Sequence, residues 1–469
     1  MRLLQATRGG RGRMIAAGTL WPVLAICACH RASRLDEITE EPTAAEASWV
    51  PTSAQLAWLR GAAQPFGSDS AGAGEVDLAP FGAVVGDARI VSLGEATHGS
   101  AEFVRMKHRL IAYLAPRGLR VVALEVGMAE ARRVNEYVLT GRGDPSLLLL
   151  IGFPVSTPEV LDLVKWLRAW NASGRGPIEF WGFDMQSPGL AMDSVRSFVA
   201  RTEPGYLPSL DSAYAVVGRT VRDLSRMDLR QRLEPGKAVR PWQDAAAGVL
   251  AHIESRRGTY LAVRDSLEVA WALQYARLVL QGAQVRRGSF PAQMVARDSL
   301  MAENVEWILA HHPLASRTVL WAHDNHVSRA RGWMGGFLAR AHPTDMRVFA
   351  LALGAGGYVA VRYPGLKVFS APPPPKGTFE SAFRASALPR FILDVRPARR
   401  VPAAAWLAQR HGFRAAGAAP LQTLGLALSP LYDGIIYFDR VTPARQLPRP
   451  QAGGAPPGAR AAGTATSTP

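Results

Sequence analysis

Cysteine is nearly absent: the 469 residues contain two, Cys27 and Cys29, both near the N-terminus. Whatever folds downstream has no disulfide, no thiolate nucleophile and no thiolate metal ligand. No G-x-S-x-G elbow occurs, and no serine sits in a strand-to-helix turn of that kind, which disfavours nucleophilic serine catalysis. Lys/Arg blocks of the length used by nucleic-acid arms are also missing, so the formal charge of +16 is carried mainly by scattered arginines. Without aromatic and basic residues interleaved, that charge reads as a solvated surface, not a nucleic-acid interface. There is no internal repeat.

With 48% hydrophobic and 20% charged residues, the chain can bury a substantial core. Its length allows two or three domains, or one large α/β domain with an insertion. Arg2, Arg8, Arg11 and Arg13 precede an apolar run at 14–29 that is too short and too abruptly ended for a comfortable membrane span. Residues 1–29 therefore read as an export signal, with delivery to the periplasm or cell envelope expected. Ile26-Cys27-Ala28-Cys29 resembles a bacterial lipobox; lipid attachment at Cys29 and plain signal cleavage both stay open, and the anchor would be the sole membrane contact. Residues 30–74 read as a polar tether with one amphipathic stretch at 54–60, residues 75–440 as the folded domain, and the Pro/Ala/Gly/Thr-rich 441–469 as a disordered tail.

Inside the domain, strands and helices alternate. An apolar strand at 88–93 leads through Gly94-Glu95-Ala96-Thr97-His98-Gly99 into a helix at 101–114, with Phe103, Met106, Leu110 and Leu114 at helical spacing. Strands at 119–126, 178–184 and 318–322 deliver Glu125, Asp184 and the run His323-Asp324-Asn325-His326, and helices are expected at 129–139 and 158–170. Such alternation predicts parallel pairing and puts all four strand ends on one edge. The expected fold is α/β, with a largely parallel central sheet, flanking helices and a helical insertion at about 206–310 capping the carboxyl edge. That insertion shows helical patterns at 209–224, 242–255, 260–280 and 291–309. In the last, Arg297, Met301 and Asn304 share one face, placing an Arg and an Asn toward the site or toward a neighbouring acid. Later strands are expected at 347–353, 358–362, 390–395 and 434–438, with a helix at 403–411.

Glu95, His98, Glu125, Asp184, His323 and His326 should thus converge, and six titratable groups on one edge point to chemistry. Two hydrolytic options fit. One histidine could act as general base on water while a carboxylate fixes its tautomer. Alternatively, His98, His323, His326 and a carboxylate could ligate a Zn²⁺-like ion, although their spacing matches no standard metal motif. A cell-surface binding protein that kept the fold without the rate is a third reading.

The G-E-A-T-H-G motif, the Lys-containing helix after it, the strand ending in Glu125 and the W-A-H-D-N-H-V run at 321–327 resemble the erythromycin esterase family over residues 87–439. The resemblance implies hydrolysis of a carboxylic ester or lactone by metal-independent attack of a His-activated water, with no cofactor and a small molecule as partner. On that reading His98 is the base, and Glu95, Glu125, His323 and His326 complete the catalytic group. Lys107, Asp184, Arg297 and Asn304 are the substrate-binding candidates. Lys107 stands where the resistance enzymes carry a functional Arg, and Thr97 and Gly99 stand where they carry Ser and Phe. Lys keeps the charge but loses the planar fork. Gly99 removes an apolar group beside the base, so the broad branch of the family fits better than a dedicated resistance enzyme.

Overall fold

The computed structural model describes residues 40–145, 152–228, 231, 235–313, 316–362 and 365–447. The export segment at 1–29, Cys29 and the tail beyond 447 lie outside the described residues. In chain order the strands are β1 (Gln64–Pro65), β2 (Ile90–Leu93), β3 (Leu119–Gly127), β4 (Glu179–Asp184), β5 (Arg317–Trp321), β6 (Met346–Arg362), β7 (Gly365–Ala371), β8 (Arg390–Asp394), β9 (His411–Ala415), β10 (Gln422–Leu426) and β11 (Gly434–Val441). Nine of them form one sheet in the order β1-β8-β11-β6-β2-β5-β3-β4, with β7 on β6. The six strands from β11 to β4 pair in parallel, and β1, β7 and β8 add antiparallel edges. The remaining two strands form an antiparallel hairpin.

Burial on both faces explains why the central strands are apolar throughout, since successive side chains of a strand point to opposite sides. Ile90, Val121, Ala123, Phe183, Leu320, Val348 and Ala350 pack into one core; their neighbours Val91, Val122, Leu124, Val319 and Phe349 pack into the other. The helices Ala101–Leu114 and Pro158–Ala172 close the second face. The first face is closed by the insertion, whose helices Leu207–Arg226, Arg240–Ser255, Ser266–Gln284 and Phe290–Ala310 belong to that core. The insertion is therefore a full layer of the domain, and its helix Phe290–Ala310 sends Arg297 to the carboxyl edge. No strand falls between residues 206 and 310 among the described residues, and no described helix is long and apolar enough to cross a membrane.

Several boundaries move for local reasons. The helix expected at 260–280 is two, because the Asp265 side chain accepts from Leu267 N–H at 2.8 Å and caps a new start. Strands at 347–353 and 358–362 are one long β6. At 403–411 the alanine-rich pattern gives a 3₁₀ turn, Pro402–Ala408, because His411–Ala415 pairs with Gln422–Leu426 instead of continuing a helix.

The tether reading does not hold for the described part of 30–74. Trp49 stacks on His411 and Trp406 at centroid distances of 3.8 and 5.4 Å, and Leu59 is fully buried, so two short helices are clamped to the domain. Nor do residues 441–447 form a loose tail. Thr442 N–H and hydroxyl both donate to Glu102 at 2.7 Å, Ala444 N–H donates to Gly99 carbonyl at 2.8 Å, and Ala444 is buried.

Candidate active site

The turn after β2 is held by backbone pairing before any side chain acts. Ala96 N–H donates to Leu351 carbonyl at 3.0 Å, and His98 N–H donates to Gly417 carbonyl at 3.0 Å. Gly99 lies so close to β6 that a Cβ there would fall 1.9 Å from Val359 carbonyl oxygen. Its lack of a side chain thus serves backbone packing, a simpler reason than an altered ligand pocket.

Glu95 is buried and receives three donors. His98 Nδ1 lies 2.6 Å from Oε1; Lys107 Nζ and Trp321 Nε1 donate to Oε2 at 2.7 and 3.1 Å. Burial alone would raise the Glu95 carboxyl, but Lys107 and His98 outweigh it and hold it below the usual range. Lys107 is fully buried with its ammonium 4.5 Å from the Trp321 ring centroid, and burial lowers its pKa despite Glu95. It reaches Glu95 and no substrate space, so it positions the pair. With Nδ1 bonded to Glu95, Nε2 is the His98 nitrogen left for a ligand.

His323 faces His98 with ring centroids 5.8 Å apart. It is the N-cap of the short helix Asp324–Val327, its Nδ1 accepting from Asn325 N–H at 3.2 Å. An accepting Nδ1 places the proton of the neutral ring on Nε2. Burial, then the neighbouring His98 and His326, push the imidazole down to about 3, so it is neutral at physiological pH. Nε2 is buried and has no hydrogen-bond partner among the described residues.

His326 is the opposite case. Its Nδ1 contacts Asp298 Oδ1 at 2.8 Å, and its Nε2 lies 3.1 Å from Arg297 Nη1 and 3.3 Å from Glu125 Oε1. Burial would lower it, but Asp298 and Glu125 raise it to about 10. Arg297 also donates to Glu125 at 2.8 Å and to Asp184 at 2.7 Å, and Asp184 accepts from Met185 N–H at 2.8 Å. Burial raises the Glu125 carboxyl, yet His326 and Arg297 take it well below its usual range. Glu125 Oε2 further accepts from His323 N–H at 3.1 Å, linking this network to the neutral imidazole.

The structure therefore brings Glu95, His98, Lys107, Glu125, Asp184, Arg297, His323 and His326 to one edge. It does not bring Asn304 there: that amide donates to Phe183 carbonyl and Gln281 Oε1, both at 3.0 Å, and accepts from Gln274 at 2.8 Å. Asp184 and Arg297, too, are engaged with protein partners. No group of three or more described His, Asp or Glu side chains is arranged to hold a metal ion, and both nitrogens of His326 are committed to charged neighbours. Sequence reasoning missed Asp298, although an acid among Met301, Val305 and Ile308 on an apolar helix face is a visible signal. It also missed Gly417, whose loop is far away in sequence and carries no chemical side chain.

A family model described as erythromycin esterase matches residues 114–441, a stretch that starts after the first motif and includes Glu125, His323 and His326. The chain is 23% identical over 277 residues to erythromycin esterase type II of Escherichia coli, covering 56% of this chain and 66% of that enzyme, just under two thirds of its length. It is 22% identical over 415 residues to YbfO of Bacillus subtilis (strain 168), a candidate hydrolase, covering 81% of this chain and 90% of that protein. Two solved structures share the fold: a succinoglycan biosynthesis protein (TM-score 0.70, 20% identity, 84% of this chain and 98% of that one) and an erythromycin esterase mutant in its open conformation (TM-score 0.61, 17% identity, 78% and 94%). With the model match spanning most of the chain, from the helix after the first histidine motif to the last strand of the sheet, this protein belongs to the erythromycin esterase family.

Proposed function

We propose that this protein hydrolyses a carboxylic ester or lactone by direct attack of a water that His98 deprotonates. His98 Nε2 takes a proton as the water oxygen bonds to the carbonyl carbon, and Glu95 stabilises the imidazolium that forms. The carbonyl oxygen becomes an oxyanion and accepts from His323 Nε2–H. When the intermediate collapses, the bond to the leaving oxygen breaks and the imidazolium returns its proton to that oxygen, giving acid and alcohol. In this scheme two imidazoles have distinct roles: His98 is the base and His323 a fixed neutral donor.

The observation that carries this reading is the orphaned Nε2–H of His323. A buried donor left without a partner costs about 1–3 kcal/mol, and native structures keep few of them without a reason. Here it lies beside the histidine whose Nδ1 a buried carboxylate has fixed. A preorganised donor aimed at developing charge is the arrangement that stabilises a tetrahedral oxyanion. The Glu125–Arg297–Asp184–His326–Asp298 network supports it as scaffold.

The test is turnover of a panel of esters and lactones, a macrolide among them, followed by mass spectrometry with metal-stripped protein. Wild type is expected to add one water to at least one member. His98→Ala should lose about 10²–10⁴-fold in kcat/KM while keeping its melting temperature. Turnover that survives His98→Ala, or that requires added Zn²⁺, would overturn the scheme. Export through residues 1–29 and lipid attachment at Cys29 belong to the same proposal, and the mass of the mature N-terminal peptide tests them.

A further inference from the structure

The helix Ala101–Leu114 sends Lys107 inward to Glu95; on its outer side a separate cavity of about 400 Å³ opens against the helix Pro158–Ala172 and the loop at 70–72. None of the histidines at the carboxyl edge lines it. One wall is the indole of Trp166, stacked on Trp170 at 5.5 Å. The His108 ring meets that indole edge-on at 5.5 Å. Two carboxylates, Glu159 and Asp162, complete the lining.

The charges in this cavity do not balance. Among the described residues its one lining cation, Arg105, is already claimed by Asp69 at 2.8 Å and Glu102 at 3.1 Å. Glu159 and Asp162 form no ion pair among the described residues. His108 adds no positive charge, because burial pushes it down to about 4 despite Asp162. Glu159 Oε2 and His108 Nε2 are both buried and without a hydrogen-bond partner among the described residues.

We propose that this cavity binds a small organic cation with N–H donors, an alkylammonium or guanidinium group carrying a short apolar body. Glu159 and Asp162 supply the opposing charge, and the indole face of Trp166 adds a cation–π contact of the kind that favours a weakly hydrated organic cation. The volume sits toward the small end of the range for small-molecule pockets. A bare metal ion fits worse: the described residues gather no set of three metal-ligating side chains here, and an indole wall gives a hard cation nothing.

Calorimetric titration of the full chain tests this, with phenethylammonium as probe and phenethyl alcohol as its uncharged counterpart of matching shape. The ammonium is expected to bind at one site, at least about tenfold tighter than the alcohol. The double variant Glu159→Gln/Asp162→Asn should weaken it by at least about tenfold, with unchanged far-UV circular dichroism. Ser70→Lys, at the exposed rim, should abolish binding by supplying the cation from the chain itself, and it leaves both helices untouched. His98→Ala should bind the probe as wild type does, which separates this site from the proposed ester-cleaving centre and keeps its outcome independent of that reading. Equal affinity for the alcohol, indifference to both cavity variants, or no binding of the ammonium up to its solubility would each overturn the proposal.

Discussion

Two histidine environments lie side by side at the carboxyl edge, and they put the same side chain to opposite uses. At the end of β2, His98 commits Nδ1 to Glu95 and keeps Nε2 available. Between β3, β4 and the helix Phe290–Ala310, His326 has an acid at each nitrogen, and those acids raise its pKa to about 10. His323 stands between them, neutral and with an N–H that has no partner among the described residues. The difference teaches that function at such an edge is read from the nitrogen a histidine has left over. A histidine whose partners are complete is scaffold, however close it lies to the chemistry.

The largest effect that separates the two environments comes from Arg297. It pairs with Glu125 and with the buried Asp184, and removing it leaves Asp184 without its ion pair and Glu125 with His326 alone. Arg297→Met should cost about 3–5 kcal/mol in urea denaturation, as breaking a buried ion network does. His98→Ala, by contrast, should cost little stability and most of the activity. If Arg297→Met unfolds no earlier than wild type, the network is not the scaffold described.

A smaller effect appears in the pH dependence of stability. The folded-state pKa of His326 is raised from 6.5 to about 10 by Asp298 and Glu125 against the opposing pull of burial. In the unfolded chain the ring loses its proton near 6.5, so between those values the folded state binds one proton more. Stability from this group is fully present below pH 6.5 and is lost progressively as pH rises toward 10. His326→Gln should be less stable at pH 7 and should flatten that decline. An unchanged slope from pH 7 to 10 would assign the charge elsewhere.

Much of this site was legible in the sequence because each of its strands is a largely apolar run with a titratable residue at or just beyond its carboxyl end. Glu125, Asp184, His323 and the turn after β2 could be assigned to one edge from alternation alone. The pattern could not say which partner each group would choose. Arg297 and Asn304 share a helix face, yet one meets two acids and the other a strand carbonyl, a difference set by a few ångströms of packing depth. The insertion was legible as helical but not as a sheet-covering layer, since amphipathic spacing reports that a helix is covered and not by what. Residues 44–62 looked detachable because their surroundings are polar and turn-rich, and 441–447 because they open a Pro/Ala/Gly/Thr-rich stretch; they are held by aromatic stacking and backbone pairing, which composition does not register.

The smallest expected effect comes from a residue with no chemistry of its own. Gly417 carries the carbonyl that accepts from His98 N–H, and it has φ +54°, a left-handed conformation. A Cβ on it would lie 3.2 Å from His323 Cδ2 and 3.4 Å from Nε2, beside the N–H proposed to meet the oxyanion. Gly417→Ala should lose about 1 kcal/mol of stability, the cost of a left-handed alanine, and should lower kcat/KM several-fold by crowding that N–H. Asparagine tolerates the left-handed region yet still brings a Cβ, so Gly417→Asn separates the two causes. Restored stability with activity still reduced would locate the effect in the space beside His323. Recovery of both would mean that Gly417 serves only the backbone of its loop, and that the distance between the two imidazoles is set by β2 and β5 alone.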